Sequence, residues 1–272
     1  MPLDLVGFKG VRRRVVIKSP KGPISLDLEL DILVGINGDR RGAHLSRNIE
    51  AIRDAIETPR EAGYLEEYLE KVAHSLLNRH GYADKARVSA KTRYYVDVEY
   101  SGIRGEEPVE LEITVEVYRD GSRRWRVSVT VYGMTVCPSA QATISRILGL
   151  NPSEAPSHSQ KAVLRGTVET RGAFIRVERI ARALFSSFSA PTITLLKRRD
   201  EARLIIEAFK NPVFVEDLVR RAIVNIASKL YAEGIKDAVI EVEANSIESI
   251  HPHNVYAYKR ITLDEFYTTP QA

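Results

Sequence analysis

Ile24, Leu26, Leu28, Leu30 and Ile32 alternate with Ser25, Asp27, Glu29 and Asp31. This period-two pattern predicts a strand with one buried face. Residues 13–18 form its partner across the turn at Ser19-Pro20-Lys21-Gly22-Pro23. The period then changes to that of helices, predicted over 47–56 and 60–79. In the second, Tyr64, Leu65, Tyr68, Leu69, Val72, Leu76 and Leu77 make one apolar stripe, and Gly81 supplies a stop. Three long strand-like runs follow, at 86–100, 108–118 and 124–136, with Asp120-Gly121 as the hairpin signal between the last two.

Beyond Cys137 the pattern predicts a helix at 140–148, a polar loop at 151–160, a strand at 161–170 and a helix at 177–188. A short strand at 192–196 comes next, then helices at 200–209 and 213–231. The longer of these sets Val215, Leu218, Val219, Ile223, Ile226 and Leu230 on one face. Strands at 238–242 and 255–259 close the chain. The second half repeats the order of the first without repeating its sequence. The reading is one bimodular domain over 1–272, with modules of about 1–136 and 137–272. Sequential antiparallel strands with helices segregated to one side indicate an α+β fold.

Composition narrows the class. At 272 residues, 44% hydrophobic and 28% charged, the chain reads as a soluble globular protein. No run approaches the ~18 apolar residues of a membrane span, and the first ten residues lack a signal-peptide core. A single cysteine forms no internal disulfide and suits a reducing, cytoplasmic setting. The net charge of +4 and pI near 9.1 fall short of a dedicated nucleic-acid binder. The runs Arg12-Arg13-Arg14, Arg40-Arg41, Arg123-Arg124 and Lys197-Arg198-Arg199 read first as solvated strand ends and loops. The sharper alternative is that some converge on phosphate.

Candidate chemistry concentrates in a few polar segments. His251 and His253 flank Pro252, which favours extended backbone and so places both imidazoles on one face. With Glu248 nearby, the pair suits metal binding or proton transfer near neutral pH. Cys137 lies where a strand gives way to a helix beginning at Pro138, a position where thiols ionise readily; a small buried hydrophobe is the bland alternative. His158 sits in a polar loop. Glu201 and Glu216 sit in first turns of helices, where the dipole alone would favour them. His44 lies in Arg41-Gly42-Ala43-His44-Leu45-Ser46-Arg47, whose side chains could hold phosphate or sugar oxygens while Ser46 caps the next helix. There is no zinc-finger spacing, P-loop or dinucleotide fingerprint.

Together these segments resemble one family. Gly42-Ala43-His44-Leu45-Ser46-Arg47 is similar to Gly-Ile-His-Met-Ser-Arg, and Cys137-Pro138-Ser139-Ala140-Gln141 to Cys-Pro-Cys-Ala-Gln. Ser157-His158-Ser159-Gln160-Lys161 is similar to Thr-His-Asn-Gln-Arg. Asn211-Pro212 through Phe214-Val215-Glu216-Asp217 matches Asn-Pro-x-Phe-Val-Glu-Asp. Glu248-Ser249-Ile250-His251-Pro252-His253-Asn254 matches Glu-Ser-Ile-His-x-His-Asn. The family is the GTP cyclohydrolases of the type IB and type IV group, and the Ala-Gln and the long loop before His158 resemble type IV.

The resemblance implies the tunnelling fold, with each module an antiparallel sheet backed by helices. Subunits would join into a barrelled homo-oligomer, a dimer or tetramer, with active sites at the interfaces. It implies GTP as substrate and a divalent metal, Fe(II) first, with Zn or Mn also compatible with cysteine, histidine and carboxylate donors. Water activated by the metal would add at C8 of guanine, formate would leave and a pterin ring would close. The type IV product is 7,8-dihydroneopterin 2',3'-cyclic phosphate with diphosphate; the type IB product is the triphosphate. By motif, Cys137, His158 and Glu201 would hold the metal, and His251 and His253 would move protons with Glu248 orienting them. Cys137 also counts among the catalytic residues. Glu216 would anchor the guanine edge, and His44, Ser46, Arg47 and Gln160 would meet the rest of the substrate. Two departures stand out: Ser139 replaces the second motif cysteine, and residues 157–161 soften their motif. A non-catalytic purine- or pterin-binding homologue therefore stays open as an alternative.

Overall fold

A computed structural model of the chain describes residues 1–19, 21–38, 42–56 and 64–268. The strands are β1 (Leu3–Ser19), β2 (Gly22–Ile36), β3 (Lys85–Tyr100), β4 (Ile103–Tyr118), β5 (Arg123–Val136), β6 (Ser159–Arg171), β7 (Ala190–Pro191), β8 (Ala238–Ile247) and β9 (Val255–Thr262). The helices are α1 (Ser46–Ile56), α2 (Leu65–Arg79), α3 (Pro138–Leu148), α4 (Val177–Phe185), α5 (Arg198–Lys210), α6 (Val215–Ala232) and α7 (Leu263–Thr268). The strand order is β1-β2-β3-β4-β5-β6-β8-β9, with β7 paired to β5. The α+β expectation thus holds as a large antiparallel sheet with helices. Among the described residues no helix is long and apolar enough to cross a membrane.

The chain divides into two compact units. The first comprises Met1–Tyr94, Glu110–Val127 and Glu169–Phe174; the second comprises Tyr95–Val109, Ser128–Val168 and Ile175–Ala272. In the first, β1 and β2 pair with Val15 opposite Leu26 and Ile17 opposite Ile24. The inward set of β2, Leu26 through Val34, is buried at 7% exposure or less, as the alternation requires. The outward acids meet the basic run of β1: Arg14 lies 2.8 Å from Asp27 and Arg12 3.9 Å from Glu29. That run is accounted for as a paired strand face. The stripe of α2 (Leu65, Tyr68, Leu69, Val72, Leu76, Leu77) is buried in full. Each such side chain stabilises the unit by about 1.5–3 kcal/mol. The predicted start of this helix at residue 60 lies outside the described residues.

In the second unit α6 buries Val215, Leu218, Val219, Ile223, Ile226 and Leu230, the predicted face, and lies against α4 and β8. Gly133 of β5 lets the Phe188 ring approach so closely that a Cβ there would stand 2.3 Å from it.

Several elements differ from the sequence reading: β1 starts at Leu3 rather than residue 13 and β8 runs on to Ile247, and three further cases have a visible cause. β4 begins at Ile103 because Ser101 and Gly102 (φ 49° and 78°) form a tight two-residue turn directly after β3. The strand expected at 192–196 is displaced to Ala190–Pro191. Beyond it, the buried Glu107 carboxylate takes the Thr194 N–H and hydroxyl, both at 2.7 Å, so a side chain stands in for a ladder partner. The unexpected α7 starts on a capping box, with Thr262 and Glu265 exchanging hydrogen bonds.

Candidate active site

The end of β5 organises the chemistry-bearing residues of the second unit. Cys137 follows the buried Val136 and is the N-cap of α3; its Sγ accepts a hydrogen bond from Ala140 N at 3.5 Å. Pro138 fits the first helical position, where no N–H is needed. Both backbone polar groups of Cys137 are tied to the segment entering β6. Its N–H donates to the His158 carbonyl (3.1 Å), and its carbonyl accepts from the Ser157 hydroxyl (2.7 Å). The Cys137 and His158 main chains therefore lie side by side although a helix and a loop separate them in sequence.

His158 is held by its side chain as well. Its Nδ1 lies 2.9 Å from Gln160 Oε1, an acceptor. That bond assigns the proton to Nδ1 and leaves the Nε2 lone pair open. Glu248 Oε2 stands 3.9 Å from the same Nδ1, and its Oε1 accepts from the buried Ser246 hydroxyl at 2.7 Å. The Glu248 side chain is only 7% exposed, so its orientation is set by these neighbours.

The turn joining β8 and β9 completes the cluster. The His251 ring stands edge-on to His158 with centroids 6.2 Å apart, and it stacks on His253 at 5.4 Å and 15°. The i, i+2 spacing thus brings both imidazoles to one side, as read from sequence. Both are exposed. Sequence reasoning set Glu248 against this pair, whereas the histidine it stands beside is His158. Ser246 was missed. It was findable, because on a strand it shares a face with Glu248 by the same i, i+2 rule.

Glu216 stands exposed in the first turn of α6. Its segment is spliced onto β5, since Val213 N donates to Val136 O at 3.0 Å. Asn211 fixes the approach, donating to Phe188 O (3.1 Å) and accepting from Arg221 (2.9 Å). Glu201 is exposed in the first turn of α5, and no contact among the described residues joins it to Cys137 or His158. A cavity of about 790 Å³ in this unit is lined by Tyr100, Phe188, Asn211 and neighbours, but not by Cys137 or the histidines.

In the first unit, His44 and Ser46 are exposed and Arg47 is half-buried at the start of α1. Arg47 donates to Arg79 O at 2.9 Å.

A thiol, an imidazole with an open Nε2 and a nearby carboxylate make a donor set that suits a divalent cation of borderline softness. Among the described residues no three His, Cys, Asp or Glu side chains form a ready-made metal cluster. Cys137 and His158 are of the residue types such an ion takes, and their backbones are hydrogen-bonded to one another.

Residues 1–257 match the family model described as type I GTP cyclohydrolase folE2. A protein of Aeropyrum pernix named GTP cyclohydrolase MptA is 54% identical over 264 residues, 97% of this chain and 92% of that protein. Proteins of the same name from Methanoregula boonei and Thermoplasma acidophilum are 34% and 32% identical, over 97% and 93% of this chain and 88% and 91% of theirs. Among solved structures, the uricase of Arthrobacter globiformis superimposes with a TM-score of 0.55 at 9% identity, covering 95% of this chain and 93% of its own. Urate oxidase of Bacillus sp. TB-90 gives 0.54 at 11%, covering 96% and 99%. These two likenesses establish a uricase-like tunnelling fold.

Proposed function

The chain belongs to the type I GTP cyclohydrolase family, and on that premise we propose that it converts GTP and water to 7,8-dihydroneopterin 2',3'-cyclic phosphate, formate and diphosphate. On this reading the reaction is the opening step of archaeal methanopterin biosynthesis. The observation that carries the reading is the convergence of Cys137, His158 and the Glu248–His251–His253 turn, three separate segments, in one region.

Cys137 and His158 would hold a divalent cation, Fe(II) first, with Zn or Mn also compatible, and Glu201 would be the third ligand on the family resemblance alone, since no contact among the described residues joins it to them. When bound, such an ion lowers the pKa of a water toward neutrality and so supplies hydroxide for attack at guanine C8. Gln160 keeps the His158 proton on Nδ1 and so presents Nε2 as the ligand atom. Glu216 accepts the paired N–H donors of the guanine edge and fixes the base. His251 and His253 exchange protons with the ring nitrogens as the imidazole ring opens and formate departs. Their exposure leaves them open to substrate, while Glu248 braces the cluster from its buried side. His44, Ser46 and Arg47 bind the ribose and triphosphate. Ser139 is exposed at the surface of α3, so the cysteine this chain retains is the one bonded to the His158 segment. That supports catalysis over a merely binding role.

The assembly belonging to this reading is a homo-oligomer, a dimer or tetramer, in which bimodular subunits join sheet to sheet and share cytoplasmic, interfacial active sites. Anaerobic incubation of the purified protein with GTP and Fe(II), Mn(II) or Zn(II) tests the activity. Formate release with at least one metal, abolished in Cys137→Ala, is expected. Metal-loaded protein that binds GTP but releases no formate would overturn it. Product mass separates the cyclic phosphate from the triphosphate.

A further inference from the structure

His80 is a buried titratable group that the chemistry above does not use. It follows α2 and has no exposed surface. Its Nε2 lies 2.8 Å from Asn48 Oδ1 and its Nδ1 2.8 Å from the Tyr82 hydroxyl. Asn48, equally buried, donates its amide to Ile32 O on β2 at 3.0 Å. With that amide committed, Asn48 Oδ1 is the acceptor, His80 Nε2 carries the proton, and Nδ1 receives the Tyr82 hydroxyl. Gly7 of β1 leaves the room this requires: a Cβ there would stand 2.0 Å from Ile32 O and 3.0 Å from the Asn48 amide.

Asn48 is the second residue after Ser46. Its own N–H closes on Leu45 O, as that of Arg47 closes on His44 O. Residues 47 and 48 of α1 are thus tied to residues 79 and 80 at the end of α2, Arg47 through the Arg79 carbonyl and Asn48 through the His80 ring. The turn that displays His44, Ser46 and Arg47 is fixed from behind by a fully satisfied polar chain, Ile32–Asn48–His80–Tyr82. A histidine that served only to fill space would need neither ring bond, and a leucine would fill it at lower desolvation cost.

We propose that His80 is a positioning residue for substrate: through Asn48 it sets the first turn of α1 so that His44, Ser46 and Arg47 meet the phosphate end of GTP. This rests on the reading of residues 44–47 as substrate contacts. The reach of the effect is limited to that end. Guanine recognition and the Cys137–His158 centre lie on other segments and keep their own supports.

The test measures GTP turnover by the metal-loaded enzyme, with tripolyphosphate and guanosine as competitive inhibitors, in wild type, His80→Gln, Tyr82→Phe and Arg47→Ala. In His80→Gln the KM for GTP and the inhibition constant of tripolyphosphate rise together by about fivefold, while kcat changes by less than about twofold. Guanosine inhibition stays as in wild type. Tyr82→Phe, which removes one bond and keeps the edge-on ring contact, shows the same pattern with smaller amplitude and carries the test if His80→Gln does not fold. Equal weakening of tripolyphosphate and guanosine, or no change in either with Arg47→Ala impaired, overturns the positioning role. If Arg47→Ala itself leaves tripolyphosphate inhibition unchanged, the underlying assignment of residues 44–47 fails instead.

Discussion

Acidification from pH 7 to pH 5 probes the enclosure of His80 directly. Burial, reinforced by the charges of Arg47 and His44, holds its imidazole down to about 4 against an ordinary 6.5. The unfolded chain takes up this proton near pH 6.5, whereas the folded chain refuses it until about pH 4. Between those values the unfolded state binds more protons, so stability falls as pH falls. The contribution is intact above 6.5, declines through the window and is exhausted below 4. Integration over the window gives a loss of about 2 kcal/mol at pH 5 and about 3 kcal/mol at completion. Carboxylates held low by Arg14, Arg79, Ser122 and Thr262, namely Asp27, Asp54, Asp120 and Glu265, also lose stabilisation with acid. Theirs is lost below the carboxylate range, at lower pH. Urea unfolding of wild type and His80→Gln at both pH values isolates the histidine, since glutamine does not titrate. Wild type should lose about 2 kcal/mol more than the variant between pH 7 and pH 5. Equal losses would mean that His80 protonates in the folded state and that the closed hydrogen-bond chain is wrong.

Three further outcomes follow from the same geometry. Ser246→Ala frees Glu248 and should weaken Co(II) binding or turnover by about tenfold, with Ser246→Thr restoring it; equal behaviour of the two variants would remove Ser246 from the site. Gly133→Ala drives a Cβ into the Phe188 ring and should cost about 1–3 kcal/mol in urea unfolding; an unchanged midpoint would contradict the close packing of β5. Glu216→Gln should raise the KM for GTP by about tenfold or more while leaving metal content unchanged; metal loss on that substitution would place Glu216 in the coordination shell instead.

The hydrophobic periods made most elements legible because one face of each is buried. β2 and α6 are the clearest cases, and every position assigned to their inward faces except the half-buried Ile24 at the start of β2 is enclosed. Legibility failed where a distant side chain replaced a backbone partner. The β-like residues 192–196 obey Glu107, 87 residues away, and nothing local announces that carboxylate. The site divides in the same way. Cysteine and histidine are scarce in this chain, so Cys137, His158, His251 and His253 drew notice by type alone, and the spacing of the last two already placed them on one face; the stacked rings are visible only in the structure. The groups that aim them are ordinary: Ser246 on Glu248, Gln160 on His158, Asn48 on His80. Serine, glutamine and asparagine acquire such roles only from the partner that tertiary structure supplies, and their desolvated hydrogen bonds make the aim costly to change. His80 shows why residue type alone is not enough. It is as scarce as the other histidines, yet at a helix end with no second histidine, cysteine or carboxylate within three residues it carried no signal. Its meaning resides in Asn48, 32 residues earlier. Chemistry-bearing residues can therefore be nominated from sequence, but the residues that fix their geometry, and with it substrate affinity, have to be read from the fold.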